Sequence, residues 1–99
     1  MRTTALLLAG VLATPLHAQW QLLNTGTTAS LRGLSVVDDR TVWASGSRST
    51  VLHTTDGGTT WQVHTVPGGT FDVRSVHARS ALVAHVAATA GRIWRTVDG

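Results

Sequence analysis

Five aspartates are the only acidic side chains in this 99-residue sequence, which has no glutamate and no tyrosine. Most glycoside hydrolysis runs on a pair of carboxylates, and the sialidase variant on a tyrosine nucleophile. The aspartates therefore bound the carboxylate chemistry open to the chain. Asp38, Asp39, Asp56 and Asp98 fall among turn residues, and Asp72 falls at a strand start. Asp56 is the most suggestive of them, set in Thr54-Thr55-Asp56-Gly57-Gly58-Thr59-Thr60-Trp61. Its carboxylate can fold back onto nearby backbone N–H groups. Gly57 and Gly58 permit the positive φ of a tight connection. Thr54 and Thr60 suit flanking strands, and Trp61 can cover the hairpin. A self-buttressed turn accounts for every one of these residues without a ligand, so no catalytic residue is assigned.

Arg32 and Arg74 are the candidate binding residues. They stand at equivalent places at the start of two strands, 42 residues apart. Arginine forks recognise carboxylates and phosphates bidentately. The competing reading is a pair of solvated or aspartate-paired guanidiniums. The histidines offer less. His53 and His64 lie on two strands of one hairpin, and His77 and His85 lie further on. None has the i, i+4 or Cys/His spacing of a metal site, so neither a metal nor a cofactor is expected. Gly46-Ser47 lacks the flanking glycines of a nucleophile elbow. Gly57-Gly58 and Gly68-Gly69 precede no helix, so they are turn glycines and not phosphate loops. Trp43, Trp61 and Trp94 read as packing residues before they read as a sugar platform.

The elements that carry these residues repeat. Trp20-Gln21-Leu22-Leu23 matches Trp61-Gln62-Val63-His64 at an offset of 41. Leu31-Arg32-Gly33-Leu34 matches Val73-Arg74-Ser75-Val76 at 42. Val51 to Gly57 matches Ile93 to Gly99, again at 42. A period near 42 suits a unit of four strands. Turn signals and β-branched runs place strands at 31–37, 41–45, 50–54 and 60–66, then at 72–77, 81–86 and 92–96. The alanine-rich stretch 78–90 has helical propensity. The repeat overrides it and predicts a strand followed by a connection two residues longer than in the first unit.

Arg2, the apolar run Ala5–Ala13, Pro15 and Leu16-His17-Ala18 have the order of a secretory signal peptide cut after Ala18. The run is too short to span a bilayer as a helix. Export implies a periplasmic or secreted protein, yet there is no cysteine to cross-link it. Without Arg2, seven arginines face five aspartates, a formal charge of +2. That is too small to argue for nucleic acid or a membrane surface.

The octapeptide fits Ser/Thr-x-Asp-x-Gly-x-Ser/Thr-Trp and is similar to the Asp-box, the bacterial neuraminidase repeat of β-propellers. Thr54, Asp56, Gly58, Thr60 and Trp61 are its structural positions, and Thr96 and Asp98 begin a second box. With the Trp20-Gln21 start, the strand Leu31–Val37 and Val42-Trp43-Ala44-Ser45-Gly46, the chain resembles the photosystem II assembly and stability factor-like propellers. The resemblance covers nearly all of 20–99. It implies an all-β fold, with one four-stranded blade at 31–66 and an incomplete blade at 72–99. Residues 20–23 would be a lone outer strand that closes a ring, seven-bladed in whole relatives. The second box stops at Gly99, so the expectation is an N-terminal fragment with unpaired β-edges. The resemblance implies a non-enzymatic scaffold that binds or assembles proteins, through acidic groups at the channel mouth. Its alternative is part of a sialidase-like Asp-box glycoside hydrolase, which would make carbohydrate the partner. Cleavage after Ala18 predicts a secreted product that begins at Gln19. Intact-mass analysis of the exported protein checks this, and a product retaining residues 1–18 would refute it.

Overall fold

The computed structural model describes residues 19–99; the leader expected at 1–18 lies outside them. Seven antiparallel strands form two meanders: β1 (Leu31–Val36), β2 (Val42–Gly46), β3 (Thr50–Thr54), β4 (Gln62–Thr65), β5 (Val73–Ala78), β6 (Ala84–Ala88) and β7 (Arg92–Thr96). The first sheet runs β1-β2-β3-β4 and the second β5-β6-β7. The fold is all-β. Among the described residues there is no α-helix, only a 3-10 turn at Thr89–Gly91, and no helix is long and apolar enough to cross a membrane.

The two sheets follow one template, residue for residue at 42. Thr41 O accepts from Val37 N at 2.9 Å, and Val83 O from Arg79 N at 2.9 Å. Asp38 Oδ1 accepts from the backbone of Arg40 and Thr41 at 2.9 and 2.7 Å. Ser80 Oγ does the same for Leu82 and Val83, at 3.1 Å each. Ser47 N donates to Ser30 O, and Thr89 N to Asp72 O. The hydroxyls of Ser47 and Thr89 accept in return from Ser30 N and Asp72 N. The next turns repeat too. Arg48 and Ser49 have φ of 57° and 59°, and Ala90 and Gly91 have 64° and 69°. Positive φ at both central residues is the type I′ hairpin geometry that matches strand twist.

That template corrects one expectation. The second strand of the second unit begins at Ala84 and not at 81, and its following connection is not lengthened. Ser80 builds the turn that Asp38 builds in the first unit, so residues 80–82 belong to the turn. The helical propensity of 78–90 loses to strand pairing, with β6 between β5 and β7. The fourth strand is shorter than 60–66, because Thr60 and Trp61 are engaged by the Asp56 turn. Trp20–Leu23 forms no strand, and Leu23 instead lies over Gly58.

The core lies between the sheets. Trp43 and Val51 from the first sheet meet Val73, Val76, Ala78, Ala84 and Val86 from the second. Trp43 is fully buried, and its Nε1 donates to Ser80 O at 3.0 Å. A buried aromatic removes roughly 150–250 Å² from water, worth about 4–6 kcal/mol of transfer free energy at ~25 cal/mol per Å². The indole hydrogen bond adds only about 1 kcal/mol net; burial holds Trp43, and the bond orients it. Ser35 Oγ accepts from Ala78 N at 3.0 Å, a second tie between the sheets.

Gly33 permits the approach. A Cβ there would stand 2.5 Å from Ser45 Oγ and 2.9 Å from Ser75 Cα. Backbone atoms of β5 cannot move aside as a flexible side chain can. Gly33→Ala should therefore lower stability by roughly 1–3 kcal/mol, the usual cost of overpacking. Urea unfolding followed by tryptophan fluorescence measures this, and an unchanged midpoint would mean the sheets do not approach so closely.

Candidate functional site

The Asp56 turn is built from within. Asp56 Oδ2 accepts from Thr60 Oγ1 at 2.6 Å, and Oδ1 from Thr60 N at 2.9 Å and Thr54 Oγ1 at 2.8 Å. Thr54 Oγ1 in turn accepts from Gly58 N at 3.0 Å. Trp61 Nε1 closes the loop on Gly58 O at 3.1 Å. Gly57 and Gly58 have φ of 74° and 97°. The Thr60 hydroxyl, then the Thr60 N–H and the Thr54 hydroxyl, lower the Asp56 pKa from its ordinary 3.8 to about 2. Hydrogen bonds to the charged form are the cause. The second turn starts alike: Thr96 Oγ1 donates to Asp98 Oδ1 at 3.1 Å, and Asp98 N to Thr96 Oγ1 at 3.4 Å. A carboxylate so engaged is ionised and oriented into its own loop, which suits a turn and not a general acid.

Arg32 and Arg74 come together on a residue not singled out in the sequence. Arg32 Nε lies 3.1 Å from Asp72 Oδ2, and Arg74 Nη2 lies 3.4 Å from the same oxygen. Strand register explains the convergence. Leu31 and Gly33 oppose Gly46 and Ser45, and Val73 and Ser75 oppose Ala88 and Ala87. Each arginine is thus the extra residue of a β-bulge, a device that re-aims a side chain. Asp72 stands where the first unit has Ser30, so one acid serves two arginines. The only sequence signal for it was its place immediately before Val73-Arg74.

This cluster is a poor stabiliser. Both guanidiniums are about half exposed, and exposed ion pairs contribute about 0–1 kcal/mol each. Asp72 Oδ1 is buried with no hydrogen-bond partner among the described residues. An unsatisfied buried acceptor costs about 1–3 kcal/mol, enough to cancel both pairs. The arginines keep donor atoms with no acceptor among the described residues, and the two carry one positive charge more than Asp72 neutralises. Guanidinium donors of this kind are the type that carboxylates and phosphates accept from.

A second group lies inside the first sheet. His53 stacks on Trp43 at 4.3 Å and on His64 at 5.3 Å between ring centroids. His64 Nε2 and His53 Nδ1 are 3.2 Å apart and share one hydrogen bond. Burial, and then the nearby His64, push the His53 pKa below its ordinary 6.5. His53 packs as an aromatic. Among the described residues no three of His, Cys, Asp and Glu gather as a metal site. Trp43 and Trp94 border one cleft of about 300 Å³ between the sheets, and Trp61 borders a separate one of about 250 Å³ on the first sheet. The three indoles therefore make no common platform.

No protein-family model matches the chain, and no curated protein matches it as a relative.

The Asp56 shift has a sign. Its pKa is lower folded than unfolded, so its stabilisation is complete above about pH 3.8 and is lost as pH falls through about 2. The melting temperature should drop across that interval in the native protein and drop less in Asp56→Asn. Parallel pH profiles for the two would show that the carboxylate is not engaged in solution.

Proposed function

We propose that this chain consists of β-propeller repeats of the photosystem II assembly factor-like kind, and that it is an exported, non-enzymatic scaffold binding an acidic protein partner. One observation carries the binding part of the reading: two bulge arginines, 42 residues apart, aimed at one carboxylate. The propeller part is supported by a four-stranded meander whose turn hydrogen bonds recur 42 residues on, the size of a blade. β1 and β5 are the strands nearest the axis in such a ring. Arg32 and Arg74 then face the channel mouth, where Asp72 occupies the place of a partner's carboxylate. A leader cut after Ala18 would deliver the chain to the periplasm or the exterior.

Asp56 is engaged by its own loop, and Asp72 by the two arginines. This favours the scaffold over the sialidase-like alternative. Calorimetric titration of the full chain with a hexaglutamate peptide should show binding that weakens as salt rises. Arg32→Ala with Arg74→Ala should weaken it several-fold, since ion pairs of half-exposed guanidiniums are worth about 0–1 kcal/mol each. Equal binding by the double variant would remove the arginines from the proposal. Turnover of a fluorogenic sialoside by the native chain would favour the hydrolase.

A further inference from the structure

Among the buried side chains of the described residues, His53 is the only one that titrates. It sits in a row that crosses three strands. Trp43 on β2 and Gln62 on β4 stand directly opposite it, and His64 stands opposite Val51, two residues along on the same face. On the β2 side the Trp43 ring lies within 14° of parallel to the imidazole. On the β4 side His64 Nε2 meets His53 Nδ1 at 3.2 Å. These groups belong to adjacent strands of one sheet, so the contact stands whatever follows Gly99.

A hydrogen bond between two ring nitrogens needs one proton and one lone pair. The pair can therefore take up one proton and keep the bond, with an imidazolium donating and the neutral ring accepting. His64 is the better place for that proton, because it is only half-buried. A second proton puts an N–H on both facing nitrogens. The bond is then lost, and two like charges remain with ring centroids 5.3 Å apart.

The flanking elements do not compensate the second charge. Among the described residues no third His, Asp or Glu joins the two as a cluster. The turn before β2 carries Asp38, Asp39 and Arg40, and the turn after β3 carries Asp56. The Asp38 and Asp56 carboxylates are bonded within their own loops. Arg95 of β7 is the charged side chain that borders the cleft beside His64, and Arg79 adjoins the Ser80 carbonyl that receives the Trp43 indole. Burial, and then His64, hold His53 below its ordinary 6.5. The unfolded chain has no such bar. The pair's contribution to stability is therefore complete above about pH 6.5 and declines as pH falls below it.

Burial decides which strand gives way. All five residues of β3 are buried, and Trp43 holds His53 from β2. β4 has four residues, none of them buried, and is the edge strand of its sheet among the described residues. Moving β4 separates the two rings at the least loss of buried contacts. We propose that the His53–His64 pair is an acid-sensitive latch that holds β4 on the first sheet, closed while at most one ring is protonated and opened when both are. The latch is independent of what the arginine pair binds.

Hydrogen exchange of the full chain, followed by NMR at about pH 7 and about pH 5 and corrected for intrinsic rates, reads the latch strand by strand. In acid, protection of the Gln62–Thr65 amides should fall about tenfold relative to that of Val42–Gly46, the change that one hydrogen bond makes. Asp56, with a pKa of about 2, stays ionised across this interval, so its turn does not contribute. His53→Phe keeps a ring against Trp43 and removes the facing nitrogen. Its β4 should show the lowered protection already at about pH 7 and no further fall in acid. His64→Gln keeps an N–H for His53 Nδ1 and does not titrate. It should hold native protection at about pH 7 and lose most of the acid response. His77 and His85, on β5 and β6, are present in both variants, which separates their titration from that of the pair. A native β4 whose protection follows that of β2 between the two pH values would overturn the proposal. So would an undiminished fall in His64→Gln, which reads the latch even where His53→Phe does not fold.

Discussion

The contact between β1 and β5 is the constraint on which the structure depends. Two twisted sheets can share a core only if their backbones approach closely where no side chain intervenes, and Gly33 is that place. Once the backbones meet there, Trp43 reaches the Ser80 carbonyl and Ser35 reaches the Ala78 amide. Without cysteine, the chain has no covalent means of holding the sheets together. Packing of one indole and a row of valines and alanines has to suffice, and small residues on the second sheet make room for the large one on the first.

Around this contact, short polar side chains determine the path of the chain. Asp38, Ser80, Thr54, Asp56, Ser47 and Thr89 each satisfy backbone N–H groups that leave the strand ladders. Backbone donors at turns must find partners; Asp38, Ser80, Thr54 and Asp56 supply an oxygen two to four residues away, and Ser47 and Thr89 one from 17 residues on. Asp38 and Ser80 perform one task with different chemistry. The repeat is thus preserved in hydrogen-bond geometry where residue identity has changed.

The candidate site arises where the two constraints meet. Arg32 belongs to the first sheet, Asp72 and Arg74 to the second, and the cluster exists only because β1 lies beside β5. Its ion pairs add little stability against one unsatisfied buried oxygen. The Asp56 turn is the converse case, a carboxylate whose hydrogen bonds all return to its own hairpin.

The sequence by itself determined the local features. Thr50–Thr54 and Arg92–Thr96 were legible to the residue, and so was the Asp56 turn, because their signals lie within a few neighbouring residues and repeat at 42. The strand at Ala84–Ala88 was misplaced, because its turn uses serine where the first unit uses aspartate, and alanine carries no β signal. Aspartate-paired arginines were one reading open from the sequence, but that Arg32 and Arg74 share Asp72 was not legible. Bulges shift side chains between faces, and only strand register reveals a bulge. Tertiary structure alone decided which face of each sheet is core, since the same apolar pattern is buried on β5 and exposed on β1. A pattern of alternation says that one face seeks cover; which sheet supplies it depends on what folds beside it.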